Sequence, residues 1–153
     1  MDLTAGDNVS WKLAQVVRAR VQQVYPSIQS DMWKSITGET TELYFVPLST
    51  SEVSVEIVVS DQGEFTVSAG ASNLEADQEL VNERLEFVVR LVLAFAGHGY
   101  SKVTIPIFFG PWGGSHVGPT GGFQGLDDVL EHPLATVVEY LDPWSNPRSA
   151  ESD

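Results

Sequence analysis

The residues whose types and spacing could best form a functional site lie in one glycine-rich stretch, FFGPWGGSHVGPTGGFQG, which spans residues 108–125. It holds seven of the thirteen glycines of the chain and the adjacent pair Ser115 and His116. Such a stretch could cradle a phosphate, carry a nucleophilic serine, bind a metal ion or present aromatic side chains to a partner. The residue types and their spacing separate these four possibilities.

A phosphate site is disfavoured by the charges around this stretch. Backbone N–H groups of glycines bind phosphates with the help of a lysine or arginine, and no Lys or Arg occurs between Val103 and Pro147. Asp127 and Asp128 follow at the start of a short predicted helix, where they would repel an anion. Neither G-x-x-x-x-G-K-[ST] nor G-x-G-x-x-G is present. We therefore expect no nucleotide or other cofactor.

A catalytic serine is disfavoured by the sequence around Ser115. The segment GGSHV begins like a G-x-S-x-G nucleophile elbow, but Val117 occupies the position of its second glycine. Ser115 and His116 are sequence neighbours, and neighbouring side chains of an extended segment point apart. With so many acidic residues, no pair of carboxylates can be singled out for acid–base catalysis. We assign no catalytic residues, and the sequence favours a protein that is not an enzyme.

A metal site is the next possibility, formed by His116, Asp128 and His132. Asp128 and His132 are four residues apart, which would place both side chains on one face of a continuous helix. Pro133, however, disfavours a helical conformation at His132. The same spacing is typical of acids at a helix start beside a surface histidine. The metal site is therefore the lesser alternative at these residues.

The aromatic residues of the stretch favour a loop that binds a partner. Trp112 and Phe123 lie among glycines that contribute little packing, and aromatic anchors in such surroundings are typical of protein interfaces. With His116, Asp127 and Asp128 they form the predicted contact surface. The alternative is that both aromatic side chains fold back and cover the edge of a sheet.

The composition is that of one globular domain with an acidic surface. The 153 residues include 21 Asp and Glu but only eight Lys and Arg, which gives a net charge of −13. This balance disfavours binding to nucleic acids and to anionic membranes, and it favours a protein partner with a basic surface. The chain has no cysteine, which excludes a disulfide framework and thiolate ligands.

The location of the protein is predicted from its N-terminus and its most apolar segment. The first residues carry Asp2 and Asp7 where a signal peptide would have basic residues. The most apolar window, residues 87–97, contains Arg90 and is shorter than a bilayer span. We expect a cytoplasmic protein.

Hydrophobic periodicity predicts an α+β fold, in which a mostly antiparallel sheet of about four strands packs against a long central helix. Helices precede and follow this unit. The N-terminal helix spans residues 8–24, the long helix 73–96 and the C-terminal helix about 134–141. Ser72 and Glu75 have the spacing of a capping box at the start of the long helix.

The predicted strands are short segments in which apolar and polar residues alternate. They cover residues 41–48, 53–59, 65–69 and 102–109. Residues 53–59 and 65–69 form an antiparallel hairpin around Asp61-Gln62-Gly63. Residues 27–37 are ambiguous and allow a short second helix. One domain is expected over residues 1–142, followed by a flexible tail, residues 143–153, with little to bury.

The predicted order of elements over residues 8–141, together with the acidity, resembles the type III secretion chaperones and the broader Tir-chaperone-like group. Members of that group are small, acidic and usually dimeric, with the order helix, three strands, helix, two strands, helix. A small, acidic, cysteine-free α+β domain without a catalytic signature is also similar to immunity proteins of bacterial polymorphic toxin systems. Those proteins bind and neutralise one cognate toxin.

We therefore expect a non-enzymatic protein-binding module, most specifically an immunity- or antitoxin-type protein that neutralises a basic partner. One alternative is a secretion-type chaperone that forms a homodimer through its helix faces. Another, from a different class, is a small enzyme or a ligand- or metal-binding domain. It would use the cleft beneath the glycine-rich loop, residues 110–125.

Overall fold

The structure, a computed structural model, describes residues 8–122 and 126–149. The fold is α+β and consists of two antiparallel sheets and three α-helices. The helices are α1 (Val9–Val24), α2 (Val81–His98) and α3 (Asp127–Leu130). The first sheet contains β1 (Gln29–Lys34), β2 (Thr40–Val46), β3 (Val55–Ser60), β4 (Phe65–Ala69) and β5 (Ser72–Glu75). The second sheet contains β6 (Tyr100–Ile105), β7 (Gly114–Pro119) and β8 (Thr136–Leu141).

The first sheet is a meander in which the strands lie in sequence order. Alternation along each strand brings its apolar residues to one face. Leu43, Ile57 and Val67 are partners across β2, β3 and β4, and each is at most 1% exposed. The predicted hairpin of residues 53–59 and 65–69 is confirmed as β3 and β4. Its turn contains Gly63, whose φ of +75° favours glycine.

Two helices cover the buried face of this sheet. The apolar residues of α1 recur at helical spacing, and Leu13, Val17 and Val21 are fully buried. The helix α2 packs beside α1 through residues that include Val88 and Val92. The prediction of a helix over residues 8–24 is confirmed by α1. Among the described helices, none is both long and apolar enough to cross a membrane.

The prediction that the long helix begins at residue 73 is wrong, because α2 begins at Val81. The segment with the capping-box spacing, Ser72–Glu75, is instead the strand β5, which pairs with β4 through a turn at Gly70. A capping box is a local signal. Here the hydrogen bonds available from the edge of β4 override it.

The fold class is correct as α+β and antiparallel, but the predicted count of about four strands is too low. Eight strands form within the described residues, and the ambiguous residues 27–37 contain β1. The predicted C-terminal helix, 134–141, is wrong because this segment forms β8. Its residues TVVEYL are rich in the β-branched and aromatic types that favour strands, and they pair with β6. Part of the glycine-rich stretch also forms a strand, β7.

The second sheet has the order β7-β6-β8, with the central strand β6 directly after α2. Tyr100, at the start of β6, anchors this sheet to the first one. Its ring is fully buried, and its hydroxyl accepts a hydrogen bond from the backbone N–H of Ala71 at 3.0 Å. The register between β6 and β8 shifts between Lys102 and Val103, so Val138 has no partner residue on β6. This irregularity is a β-bulge.

The C-terminal segment returns to the core of the first sheet. Trp144 is 6% exposed, and its ring lies edge-on to Tyr25 with 5.1 Å between centroids. The ring centroid of Phe45 is 5.7 Å away, and the indole N–H of Trp144 donates to the carbonyl of Val53 at 2.6 Å. The expectation that the residues after 142 have little to bury is therefore wrong at Trp144.

Candidate partner-binding surface

Exposed apolar side chains are concentrated on the second sheet and its connections. Of the twelve large apolar residues that are exposed in the described chain, eight lie between Ile107 and Tyr140. They are Ile107, Phe108, Trp112, Val117, Leu134, Val137, Val138 and Tyr140. We call these eight residues the apolar surface. Soluble proteins seldom expose such groups together unless the region binds something.

A short 3-10 helix, Ile107–Trp112, presents three members of the apolar surface. Ile107 and Phe108 are 83% and 77% exposed, and Trp112 is 42% exposed. The chain then turns back so closely that a Cβ atom on Gly113 would lie 2.6 Å from the carbonyl oxygen of Ile107. Glycine at this position therefore allows the backbone of Ile107, at the start of the 3-10 helix, to lie against the chain just before β7.

The predicted residues Trp112 and His116 are brought together. His116 lies in β7 opposite Val103, and its Nε2–H donates to the carbonyl of Trp112 at 2.8 Å. The ring is half-buried. His116 thus fixes the backbone that carries Trp112, and it leaves the indole ring available to a partner.

Two predicted acids lie at the start of α3, and one of them lines a pocket with the same tryptophan. Asp127 and Asp128 are both exposed. Asp128 joins Trp112, Glu131 and His132 in the lining of an open pocket of about 350 Å³. Trp112 and Asp128 therefore lie around one pocket, and the binding of a partner by these residues stays a prediction. Phe123, the remaining predicted contact residue, lies outside the described residues.

The structure does not bring His116, Asp128 and His132 together as metal ligands. Over residues 8–122 and 126–149, no three His, Asp or Glu side chains converge to form a group that could hold a metal ion. Nε2 of His116 is engaged with the carbonyl of Trp112, and Nδ1 of His132 accepts the N–H of Leu134 at 3.1 Å. These histidines make local hydrogen bonds that stabilise turns.

A second pocket, of about 380 Å³, lies at the end of the second sheet. Thr104, Ser115 and Thr136 are register partners across its three strands and contribute hydroxyl groups to the lining. Ile107 and Leu134 add apolar groups. The cross-strand neighbour of Ser115 is thus a threonine, which cannot act as a general base. This geometry offers no support for a nucleophilic serine.

Acidic residues outnumber basic ones in the segments that carry the apolar surface. The exposed acids are Asp127, Asp128, Glu131, Glu139 and Asp142. No Lys or Arg occurs between Val103 and Pro147, and Lys102, just before this range, lies opposite Glu139 in the register of β6 and β8. The second sheet therefore combines apolar anchors with several carboxylates and a single cation, Lys102, which lies between Val117 and Glu139 in the register.

Sequence reasoning missed the residues that β8 contributes to this surface. The periodicity predicts a helix for Val137, Val138 and Tyr140, whereas these residues lie on the edge strand β8 and are exposed. The run of β-branched and aromatic residues in TVVEYL was the signal that could have identified them.

The chain matches no family model, no curated protein and no solved structure in comparisons with known proteins. Its order of elements also departs from that of the secretion chaperones. Five strands rather than three precede α2, and a further strand, β8, follows α3, where that group ends with a helix. The resemblance therefore rests on size, acidity and the α+β class.

Proposed function

We propose that this protein is a non-enzymatic binding module whose partner presents a basic protein surface. The proposal is carried by the concentration of exposed apolar side chains on the second sheet and its connections, where five exposed carboxylates accompany one cation, Lys102. Apolar and aromatic anchors inside a polar rim are the usual anatomy of a protein interface. An acidic rim adds attraction to a basic partner and suppresses other partners.

Within this class, an inhibitor of the immunity or antitoxin type is the specific form that we favour. Such a protein covers a functional site of its partner, and a basic site, for example that of a nuclease, complements an acidic rim. The helix faces offer fewer apolar anchors for an interface than the second sheet does. Along α1 and α2, both fully described, no large apolar side chain is exposed, so a homodimer through these faces would lack anchors.

The first experiment is an affinity purification with the tagged protein from an extract of its source organism, at low and moderate salt, followed by mass spectrometry. We expect one stoichiometric basic partner whose retention falls as salt rises. The partner is then purified, and its dissociation constant is measured by calorimetry at both salt concentrations. This second step separates a specific complex from a protein that is merely retained by charge.

Two tryptophan variants locate the interface. Trp112→Ala is expected to weaken binding at least about tenfold, because central aromatic anchors dominate interface energies. Trp33→Ala is the matched control, since Trp33 is also 42% exposed but lies on β1 of the first sheet. Equal weakening by the two variants, or binding that does not depend on salt, would contradict the proposal.

A further inference from the structure

We infer that the partner binds by adding an extended strand, rich in Lys or Arg, along the outer edge of β8. This inference rests on the proposed function and specifies how the same surface would be used. Strand β8 is an edge strand that pairs with β6 on one side. Within residues 8–122 and 126–149, the backbone of Thr136–Leu141 has no strand on its other side. Unpaired N–H and C=O groups in such a row form a template for another chain.

The other three edges of the two sheets are protected in recognised ways. The edge strand β1 carries two charged side chains, Asp31 and Lys34, and the edge strand β5 has only four residues. The edge strand β7 contains two glycines and ends at Pro119. Edge charges, short strands and proline are devices that prevent edge pairing. The edge strand β8 has six residues and a single charge, Glu139. Its β-bulge is the one feature of this strand that would hinder edge pairing.

The side chains of β8 are exposed on both faces of the strand. All residues from Thr136 to Tyr140 are exposed, and Val137, Val138 and Tyr140 are 49%, 53% and 49% exposed. Side chains of an added strand would alternate between the two faces and cover these groups. Exposure on both faces leaves these side chains free to pack beside those of an added strand, whereas a partner that covers only one face would leave half of these groups exposed.

A segment of the protein itself already pairs at the end of this strand. The N–H of Asp142 donates to the carbonyl of Ser51, and the carbonyl of Asp142 accepts the N–H of Val53, both at 2.9 Å. The bridge between Glu52 and Asp142 is parallel. The chain immediately after β8 therefore accepts a strand-like segment, and an added strand would continue this pairing along β8.

The charges beside β8 indicate which kind of strand would bind along its edge. Glu139 lies within β8 and Asp142 directly after it, and the strands of the second sheet contain a single cation, Lys102, which lies opposite Glu139 on the inner side of β8. A segment with alternating basic residues would place cations beside these carboxylates and its other side chains against the valines. A second copy of the chain is a poorer occupant, because it would bring the same carboxylates and another net charge of −13 to the interface.

The test is a titration of the ¹⁵N-labelled full chain with three blocked hexapeptides, followed by backbone amide NMR. The first probe alternates Val and Lys. The second has the same sequence with N-methylated amides, which cannot donate hydrogen bonds, and the third alternates Val and Glu. We expect saturable shifts centred on Thr136–Leu141 with the first probe. Affinity for the second should be at least about tenfold weaker, and the third should not bind.

Two lysine variants distinguish strand pairing from general electrostatic attraction. Val138→Lys places a charge on the edge of β8, and Ile36→Lys places the same charge at a fully exposed position in the turn after β1. Both variants lower the net negative charge by one and remove an exposed apolar side chain. We expect at least about tenfold weaker binding of the Val-Lys peptide to V138K and less than about a twofold change for I36K.

Several outcomes would overturn strand addition while leaving the proposed basic partner intact. They are shifts centred on another surface, equal binding of the N-methylated peptide, or equal effects of the two lysine variants. An absence of saturable shifts would overturn strand addition as well. Shifts of the β8 amides that depend on protein concentration in the absence of peptide would also overturn it, because they would indicate that β8 pairs with a second copy of the chain. Equal binding of the Val-Glu peptide would instead contradict the charge preference of the proposed function. The peptide comparisons need no variant, so misfolding of V138K would not affect them.

Discussion

Replacement of Trp144 by alanine is expected to remove a large part of the stability of the fold. A tryptophan buries roughly 150–250 Å², and at ~25 cal/mol per Å² this burial is equivalent to about 4–6 kcal/mol. Truncation of large buried aromatic residues costs about 3–5 kcal/mol. Trp144 is 6% exposed and contacts Tyr25 and Phe45, so we expect a loss within that range. The total stability of a domain is only about 5–15 kcal/mol.

Thermal and chemical unfolding measure this loss. For a chain of this size, each kcal/mol lowers the Tm by about 2–4 °C, so Trp144→Ala should lower it by about 6–20 °C. Trp144→Phe retains most of the packing but leaves the carbonyl of Val53 without its indole donor, which costs about 1–3 kcal/mol.

Trp112→Ala provides the comparison, because this tryptophan is 42% exposed and its loss should change the Tm little. If Trp144→Ala lowered the Tm no more than Trp112→Ala does, the placement of the C-terminal segment in the core would be wrong.

Two further predictions concern the first sheet. The pKa of Glu56 is raised by burial and by the neighbouring carboxylate of Glu42, so stability is lost as the pH rises through this raised value. Glu56→Gln should therefore raise the Tm at pH 7 and leave it unchanged near about pH 3. An equal rise in Tm at both pH values would show that the charge of Glu56 is not the cause. Gly70 has φ +57°, and a Cβ there would lie 2.5 Å from Cζ of Tyr100. Gly70→Ala should cost about 2–4 kcal/mol in urea unfolding, whereas Gly38→Ala, with φ +76° and open space, should cost about 1 kcal/mol from backbone strain alone.

The parts of the fold that could be predicted from the sequence are those whose local pattern agrees with their packing. The helix α1 repeats its valines at helical spacing, and the strands β3 and β4 alternate cleanly around a turn with Gly63. In these segments, one face is buried along the whole element. The periodicity of the sequence therefore reports the burial directly.

The parts that could not be predicted are those in which pairing with a distant strand decides the conformation. Strand β7 contains two glycines and a proline, so its local preference for a strand is weak, and its pairing with β6 supplies the missing stability. Strand β8 is exposed on both faces, so it lacks the alternation that marks a half-buried strand. The burial of Trp144 could not be predicted either, because a single tryptophan among polar residues gives no hydrophobic periodicity.

The candidate surface was found only in part for the same reason. Aromatic and acidic residue types in the glycine-rich stretch indicated Trp112 and Asp128, which the structure places around one pocket. Residue types could not reveal which other groups stay exposed, since exposure depends on the order of strands in the second sheet. Val138 became a candidate only when β8 was found at an edge.

The absence of Lys and Arg from Val103 to Pro147 determines which chemical probes can detect this surface. Trypsin has no cleavage site between Lys102 and Arg148, so nearly the whole second sheet would leave a digest as one long peptide. Amine-reactive cross-linkers would find no lysine within this peptide, so in a complex mapped with them Lys102 alone would report on the second sheet. Carboxylate-directed cross-linkers, or digestion with pepsin, would detect the surface that carries Trp112 and β8.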